Sequence, residues 1–150
     1  MSITVAAESH RSPDATALMG ELSEALAAIT GNSGRSSFSP EDLDDPRAMF
    51  ALARDEAGRA VGCGAIRPYG ETTAEVKRMY ARQKGSGVGS LLLSFLEEQA
   101  RALDYTALQL ETRKINQGAV GFYLARGYRV IPNYGKYAGH EEAVCFEKAL

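Results

Sequence analysis

The sequence contains few of the residues that build metal centres and disulfide frameworks. Its 150 residues include only two cysteines and two histidines. Cys63 and Cys145 lie far apart and match no metal-ligand spacing, and two histidines are too few for a histidine-rich metal site. We therefore predict that the protein binds no metal, and that each cysteine is a buried thiol within its own strand.

Long apolar runs and an excess of basic residues are also missing. The first residues hold no apolar segment of the kind found in a secretory signal. The most apolar stretch, residues 91–96, is far shorter than the roughly 20 residues that span a bilayer. The net charge is −2, which argues against a protein that binds duplex nucleic acid. These absences favour a cytoplasmic protein with neither a membrane nor a nucleic-acid partner.

Strand and helix patterns alternate along the chain, with no repeat, linker or low-complexity tract between them. A length of 150 residues is ordinary for a single domain, so we predict one domain over residues 1–150. Helical spacing predicts a helix from Pro13 with Ser12 as its cap, one after the glycine-rich loop at 82–90, and one over 116–126. Strands are predicted over residues 3–7, 49–54, 59–67, 72–81, 106–110, 128–131 and 143–147.

Two of these elements carry patterns that place individual side chains. In the second helix, the predicted apolar stripe comprises Val88, Leu91, Leu92, Phe95, Leu96 and Leu103. In the strand over residues 72–81, strict alternation puts Val76, Arg78 and Tyr80 on one face, and on the other Glu75, Lys77, Met79 and Ala81. The preceding strand contains AVGCGAI, whose small residues predict that another part of the backbone passes close by.

A glycine-rich turn, RQKGSGVGS at residues 82–90, connects a predicted strand to a predicted helix. Glycines at positions 85, 87 and 89 leave backbone N–H groups uncovered, and the helix directs its positive end to the same place. These features predict a cradle for a phosphate or diphosphate, with Arg82 and Lys84 adding positive charge. The alternative is a tight connection in which glycine only relieves backbone strain. The turn matches neither a P-loop nor a dinucleotide fingerprint.

The spacing of this turn fits [Q/R]-x-x-G-x-[G/A], which resembles the acetyl-CoA motif of the GCN5-related N-acetyltransferase (GNAT) family. The preferred register begins at Lys84 and a second one begins at Arg82. Downstream, LQLET at 108–112, Asn116 and AVGFYLARGY at 119–128 resemble the family pattern LxxETxxxN…AxxxYxxxGF. The resemblance covers most of the chain from about residue 61 onwards.

The resemblance implies both a fold and a reaction. The fold is an α/β (α+β) arrangement: a mixed, mostly antiparallel, twisted sheet of about seven strands flanked by helices. The sheet should part between the strands at 72–81 and 106–110. The reaction is transfer of an acetyl group from acetyl-CoA, as co-substrate, to a primary amine of a small molecule or protein, by direct attack in a ternary complex. The alternative is a non-catalytic acyl-CoA sensor or interaction module. An exposed edge strand could pair two chains as a homodimer.

The resemblance also implies roles for particular residues. Tyr123 would protonate the departing CoA thiolate, and Glu75 would act as the general base, with Glu111 as a second candidate. The alternative for Glu75 is a solvated glutamate paired with Lys77 or Arg78. Loops at 31–39 and 132–140 would face each other across the acceptor pocket, carrying Phe38, Tyr134, Tyr137 and His140. The residues expected to bind acetyl-CoA are Met79, Ala81, Arg82, Lys84, Gly85, Ser86, Gly87, Val88, Gly89, Ser90, Asn116 and Tyr123.

Overall fold

Seven strands form one sheet, with helices packed on both of its faces. The computed structural model describes residues 2–35 and 38–150. The strands are β1 (Thr4–Ala7), β2 (Met49–Arg54), β3 (Ala60–Pro68), β4 (Thr73–Ala81), β5 (Ala107–Arg113), β6 (Arg129–Ile131) and β7 (Ala143–Ala149). The helices are α1 (Pro13–Thr30), α2 (Val88–Ala102) and α3 (Gln117–Ala125), with short 3-10 helices at Pro40–Asp44 and Gly135–Tyr137.

The strand order is β1-β2-β3-β4-β5-β7-β6, and β4 and β5 form its one parallel pair of neighbours among the described residues. These two strands pair over only three positions, the last of which joins Glu75 to Gln109. Beyond it, β4 continues alongside β3 and β5 continues alongside β7, so the sheet divides into two halves. The predicted mixed, mostly antiparallel sheet of about seven strands is confirmed.

Helix α1 follows the predicted pattern at its start. The Ser12 hydroxyl accepts a hydrogen bond from the Ala15 backbone N–H at 3.1 Å, which caps the helix. Leu18 and Leu22 are buried against the sheet, whereas Leu26 further along the helix is only half-buried. The apolar residues at helical spacing in α1, Leu18, Leu22, Leu26 and Ile29, therefore extend beyond the part of the helix that packs into the core.

Helix α2 covers the other face of the sheet, in an orientation that differs in part from the prediction. Leu91 is 47% exposed, whereas Leu93, which lies outside the predicted stripe, is buried. The buried positions 88, 92, 96 and 100 follow one another at i, i+4 spacing, which places them on one face of the helix. Leu93 lies on the buried side of this face, and Leu91 lies on its exposed side. The close approach predicted from AVGCGAI is present, because Gly62 and Gly64 of β3 face the side chains of α2.

A β-bulge in β4 overturns the predicted alternation of its side chains. Two residues of β4, Arg78 and Met79, stand opposite the single residue Gly64 of β3, and Arg78 has a positive φ of 55°. The extra residue shifts the pattern by one. Arg78 and Tyr80 consequently share the α1 face with Glu75 and Lys77, and Met79 and Ala81 share the α2 face with Val76.

Both cysteines agree with the sequence analysis. Cys63 in β3 and Cys145 in β7 are both buried and unbonded to each other, and burial raises the pKa of the Cys63 thiol to about 12. No helix among the described residues is long and apolar enough to cross a membrane. The same residues contain no cluster of three metal-ligating side chains.

Candidate functional site at the division of the sheet

Two cavities occupy the gap that opens where β4 and β5 separate. The inner cavity, of about 200 Å³, lies between residues 76–79 of β4 and residues 110–113 of β5. The loop groove, of about 460 Å³, lies between the end of β4, the glycine-rich loop, α1 and α3. The two cavities lie side by side, because six residues line both of them. The residues common to both are Leu22, Leu26, Met79, Asn116, Ala119 and Tyr123.

The glycine-rich loop folds tightly at the mouth of the groove. Gly85 and Gly87 have φ angles of 75° and 85°, in the left-handed region that side chains rarely adopt, and Gly87 is the N-cap of α2. The Ser86 hydroxyl donates to the Gln83 carbonyl at 2.6 Å and accepts from the Val88 N–H at 3.4 Å. The loop is thus held by its own hydrogen bonds while the positive end of a 15-residue helix opens at the groove.

The two basic residues of the loop have different surroundings. The Arg82 guanidinium donates to both carboxylate oxygens of Glu21 on α1, at 3.1 and 2.8 Å. Lys84 lines the loop groove, is exposed, and forms no ion pair with any residue in the described part of the chain. Of these two cations, Lys84 is therefore the one whose charge is available to a ligand in the groove.

The remaining predicted loop residues divide between the groove and the core. Gly85, Ser86, Gly87 and Gly89 line the groove, as do Met79 and Ala81 of β4. The Val88 side chain is instead buried beneath Gly62, and Ser90 lies off the groove wall. A Cβ at Gly89 would stand 3.2 Å from the Phe122 ring, so this glycine lets α2 and α3 approach closely.

Tyr123 lies at the junction of the two cavities. It is 7% exposed and is surrounded by the rings of Phe122, Tyr128 and Phe146, with centroid separations of 5.2, 5.6 and 6.1 Å. Burial raises the pKa of its phenol, so the hydroxyl keeps its proton at neutral pH. Asn116 also lines both cavities, and its side-chain oxygen caps α3 by accepting from the Ala119 N–H at 3.3 Å.

Glu75 lies next to the gap but on the wall of neither cavity. It is 2% exposed, and Arg67, its partner in the β3–β4 register, donates to Oε1 at 2.9 Å. The Tyr134 hydroxyl donates to Oε2 at 2.6 Å, and Lys77 lies 3.8 Å from the same oxygen. The alternative is therefore wrong about solvent, because the cross-strand arginine and the tyrosine enclose the carboxylate, although its pairing with Lys77 is present.

Glu111 is the carboxylate that the inner cavity does contain. Its side chain is 11% exposed and accepts a hydrogen bond from Arg113 at 2.6 Å. Burial raises the pKa of Glu111, although the positive charges of Arg113 and Lys77 oppose that increase. A carboxylate with a raised pKa beside a cavity is suited to accept a proton near neutral pH.

The two loops predicted to face each other both contribute to the inner cavity. Phe38 and Tyr137 line it, and the buried Tyr137 accepts a hydrogen bond from Lys77 at 3.0 Å. Tyr134 is turned towards Glu75 instead, and the exposed His140 pairs with Glu142 at 3.0 Å. Ser36 and Ser37 of the predicted 31–39 loop lie outside the described residues.

Sequence reasoning missed several residues on these walls. Leu26 and Ile29 of α1 line the groove, although their spacing indicated core packing. Lys77, Arg78 and Arg113 line the inner cavity. The length of the apolar stripe of α1 was the one signal for Leu26 and Ile29. A helix that only covers a sheet needs no apolar residues beyond the edge of the sheet.

Comparison with known proteins identifies this architecture. The sequence matches the acetyltransferase (GNAT) family model over residues 15–128. It is 30% identical to an IAA acetyltransferase of Azospirillum brasilense, over 99% of each chain. A solved structure from Klebsiella pneumoniae, described as a proposed acyl-CoA N-acyltransferase, shares 28% identity with a TM-score of 0.83, covering 99% of this chain and 97% of that one. PaiA N-acetyltransferase from Thermoplasma acidophilum, solved with coenzyme A, shares the fold at 19% identity and a TM-score of 0.77, over 100% of both chains. The chain therefore belongs to the GNAT family of acetyltransferases and is an acyl-CoA-dependent N-acyltransferase.

Proposed function

We propose that the protein transfers an acetyl group from acetyl-CoA to a primary amine, by direct attack of the amine in a ternary complex. The observation that carries this proposal is the junction of two cavities at Tyr123. One cavity opens at a glycine-rich loop and the other lies inside the divided sheet, so two reactants can meet there. A small molecule fits the inner cavity, of about 200 Å³, more readily than a folded protein, although an extended lysine side chain could also reach it.

Acetyl-CoA would bind along the loop groove. The N–H groups around Gly85–Gly87 and the positive end of α2 suit the diphosphate, and Lys84 adds a charge that no described carboxylate neutralises. The acyl arm would follow the edge of β4 that β5 leaves unpaired, past the main chain of Met79 and Ala81 towards Asn116. Support comes from the neighbours: an acetyltransferase from Elizabethkingia anophelis, of the same fold with a TM-score of 0.72, was solved with acetyl-CoA.

The attacking amine must be neutral. A lysine-like amine has a pKa near 10.4, so at pH 7 only about one molecule in 2,500 is unprotonated, and a base is needed. We assign this role to Glu111 in preference to Glu75. Glu111 lies on the inner cavity wall and its pKa is raised, whereas Arg67 and Tyr134 already occupy the oxygens of Glu75.

The reaction then exchanges one bond for another. Glu111 takes the first proton from the bound ammonium, directly or through water, and releases it to solvent. The neutral nitrogen forms a bond to the thioester carbonyl carbon, its surplus proton passes to the Glu111 carboxylate, and the carbon–sulfur bond breaks. The sulfur leaves as a thiolate and takes a proton from the Tyr123 hydroxyl. Tyr123 suits this step because it is protonated at neutral pH and lies where the two cavities join.

Thermal unfolding with and without acetyl-CoA tests the cofactor assignment. A hundredfold excess over Kd should stabilise the protein by about 2.7 kcal/mol. We expect Lys84→Gln to reduce this shift and the matched variant Arg82→Gln to preserve most of it, because Arg82 is bound to Glu21. No shift in the folded wild-type protein would contradict the assignment. A panel of primary amines, together with IAA, the compound in the relative's name, then tests acetyl transfer by measuring free thiol.

Three further elements belong to the proposal. Residues 1–150 would form one acetyltransferase domain, which the 99% coverage of the Azospirillum relative supports. This enzyme would act in the cytoplasm. Two chains could pair through the outer edges of β1 or β6, at the ends of the sheet, and sedimentation of the purified protein would measure that association.

A further inference from the structure

The inner cavity has an unusual balance of charge. Four cationic residues line it, Lys77, Arg78, Arg113 and Lys136, against one acidic residue, Glu111. The chain as a whole carries a net charge of −2, so this local excess is opposite in sign to the overall charge. A cavity with this lining attracts anions more strongly than cations.

Arg78 carries a charge at this cavity that no carboxylate of the described residues balances. Arg113 pairs with Glu111, and Lys77 lies 3.8 Å from Glu75. Across residues 2–35 and 38–150, which include every aspartate and glutamate, no carboxylate lies within ion-pair distance of Arg78. Its guanidinium instead donates to two neutral oxygens on α1, the Met19 carbonyl and the Ser23 hydroxyl, both at 2.7 Å.

A half-buried guanidinium without a counter-ion costs free energy, which an anion in the cavity would offset. The Arg78 Nε atom is buried and has no hydrogen-bond partner in the described structure, and burial lowers the pKa of the group. An arginine nonetheless keeps its proton in proteins, so the charge persists. Beside it, Gly34 presents no side chain: a Cβ there would stand 3.1 Å from Leu26 Cδ1 and 3.7 Å from Nη1 of Arg78. A side chain at position 34 would therefore crowd Leu26 and stand against that nitrogen, which the glycine leaves uncovered on this side.

The β-bulge explains why two cations meet at this cavity. In an unbroken strand, Lys77 and Arg78 would point to opposite faces of the sheet. The bulge, with Arg78 at a φ of 55°, keeps both side chains on the α1 face and on the wall of the same cavity. A positive φ at an arginine is a strained conformation, and such strain is concentrated at functional sites.

We propose that the inner cavity contains a carboxylate-binding subsite built on Arg78, with Lys77 beside it, so that the acceptor is an amine that carries a carboxylate, as an amino acid does. This inference rests on the proposed function for the role of the ligand as acceptor. The amine of such a molecule would face Glu111 and the junction at Tyr123, while its carboxylate would be held at the guanidinium. Arginine suits this role because its fork of N–H donors matches the two oxygens of a carboxylate.

The test is a binding measurement that needs no turnover. N-acetylated amino acids with side chains of increasing size are titrated into the protein by calorimetry, each beside its C-terminal amide, which has nearly the same shape but no charge. We expect at least one carboxylate to bind roughly tenfold to a hundredfold more tightly than its amide, the ratio expected for a hydrogen bond to a charged group. Equal binding within every pair, or binding of none of the carboxylates at millimolar concentration, would overturn the proposal.

Variants of Arg78 test whether this residue is responsible for the preference for the acid over the amide. Arg78→Gln should abolish the difference between acid and amide, Arg78→Lys should restore part of it, and the exposed Arg59→Gln should leave it unchanged. If a folded Arg78→Gln protein still preferred the carboxylate over the amide, Arg78 would not be the residue that binds the carboxylate. The pairs in wild-type protein decide the proposal even if Arg78→Gln does not fold. Selective binding of carboxylates without acetyl transfer to any amine would retain the subsite and refute the proposed function.

Discussion

Gly62 of β3 lies where the sheet, α2 and the glycine-rich loop meet, so replacing it by alanine tests how the groove is supported. The new Cβ would stand 2.6 Å from Val88 Cγ1, 2.9 Å from Leu92 Cδ1 and 2.9 Å from the carbonyl oxygen of Tyr80. Carbon atoms in ordinary contact are about 3.5–4.0 Å apart, so the methyl group overlaps Val88 by roughly 1 Å. Val88 has a β-branched, stiff side chain and the Tyr80 oxygen belongs to the backbone. Relief therefore requires a shift of the start of α2.

Overpacking of this kind costs about 1–3 kcal/mol, and the rigid neighbours place Gly62→Ala near the upper end of that range. For a chain of this length, about 3 kcal/mol corresponds to a decrease in Tm of roughly 6–12 °C. Urea unfolding followed by circular dichroism measures the loss directly. Because α2 begins at the glycine-rich loop, the stabilisation of the variant by acetyl-CoA should decrease as well.

Two other glycines calibrate this prediction. Gly20 lies within α1, and no atom stands within 4 Å of the position that a Cβ would occupy there, so Gly20→Ala should stabilise the protein by about 0.5–1 kcal/mol. At Gly64 the nearest atom is the flexible Met79 sulfur, at 2.5 Å, so Gly64→Ala should cost less than Gly62→Ala. If Gly62→Ala unfolds at the same urea concentration as wild type, the close approach of α2 to β3 is not as tight as these distances require.

Three other changes separate catalysis from stability. Tyr123→Phe should lower turnover by about a hundredfold or more while leaving acetyl-CoA affinity intact; unchanged turnover would exclude Tyr123 as the acid. Arg113→Met removes a positive charge that lowers the pKa of Glu111. The pKa of Glu111 should therefore increase, and the fall in kcat/KM at low pH, where the base becomes protonated, should begin at a higher pH than in wild type. A fall that begins at the same pH would argue against Glu111 as the base. Lys148 contacts the largely buried Glu97 carboxylate at 3.1 Å. Lys148→Met removes this contact, so that Tyr128 is the one partner of Glu97 that remains among the described residues. This change should cost about 1–3 kcal/mol in urea unfolding, and a loss near zero would show that solvent already screens the pair.

The sequence predicts those parts of the fold that depend on local patterns. The cap at Ser12, the strand over residues 49–54 and the glycine-rich loop each follow from residues adjacent in the chain. The same loop, together with LQLET at 108–112, Asn116 and AVGFYLARGY at 119–128, indicated the family. Such features need no knowledge of which strands pair.

Features created by pairing between strands are the ones that local patterns miss. The bulge at Arg78 exists because two residues of β4 oppose one residue of β3, and nothing in the alternation of β4 by itself reports it. Glu75 reads as a surface residue until the register places Arg67 directly opposite. This contact, with that of Tyr134 and the place of Glu111 on the cavity wall, is why Glu111 is preferred to Glu75 as the base.

Helix α1 packs its first half on the sheet and contributes its second half to the groove, where Leu26 and Ile29 lie. A ligand seated in the groove would therefore complete the hydrophobic core of this helix, and its apolar surface would be shared between protein and ligand. Ligand affinity and the local stability of residues 26–30 are then coupled: binding stabilises this segment, and a change that destabilises the segment weakens binding. Binding should decrease the heat capacity, as apolar burial does, and should slow amide hydrogen exchange in the second half of α1 more than in the first.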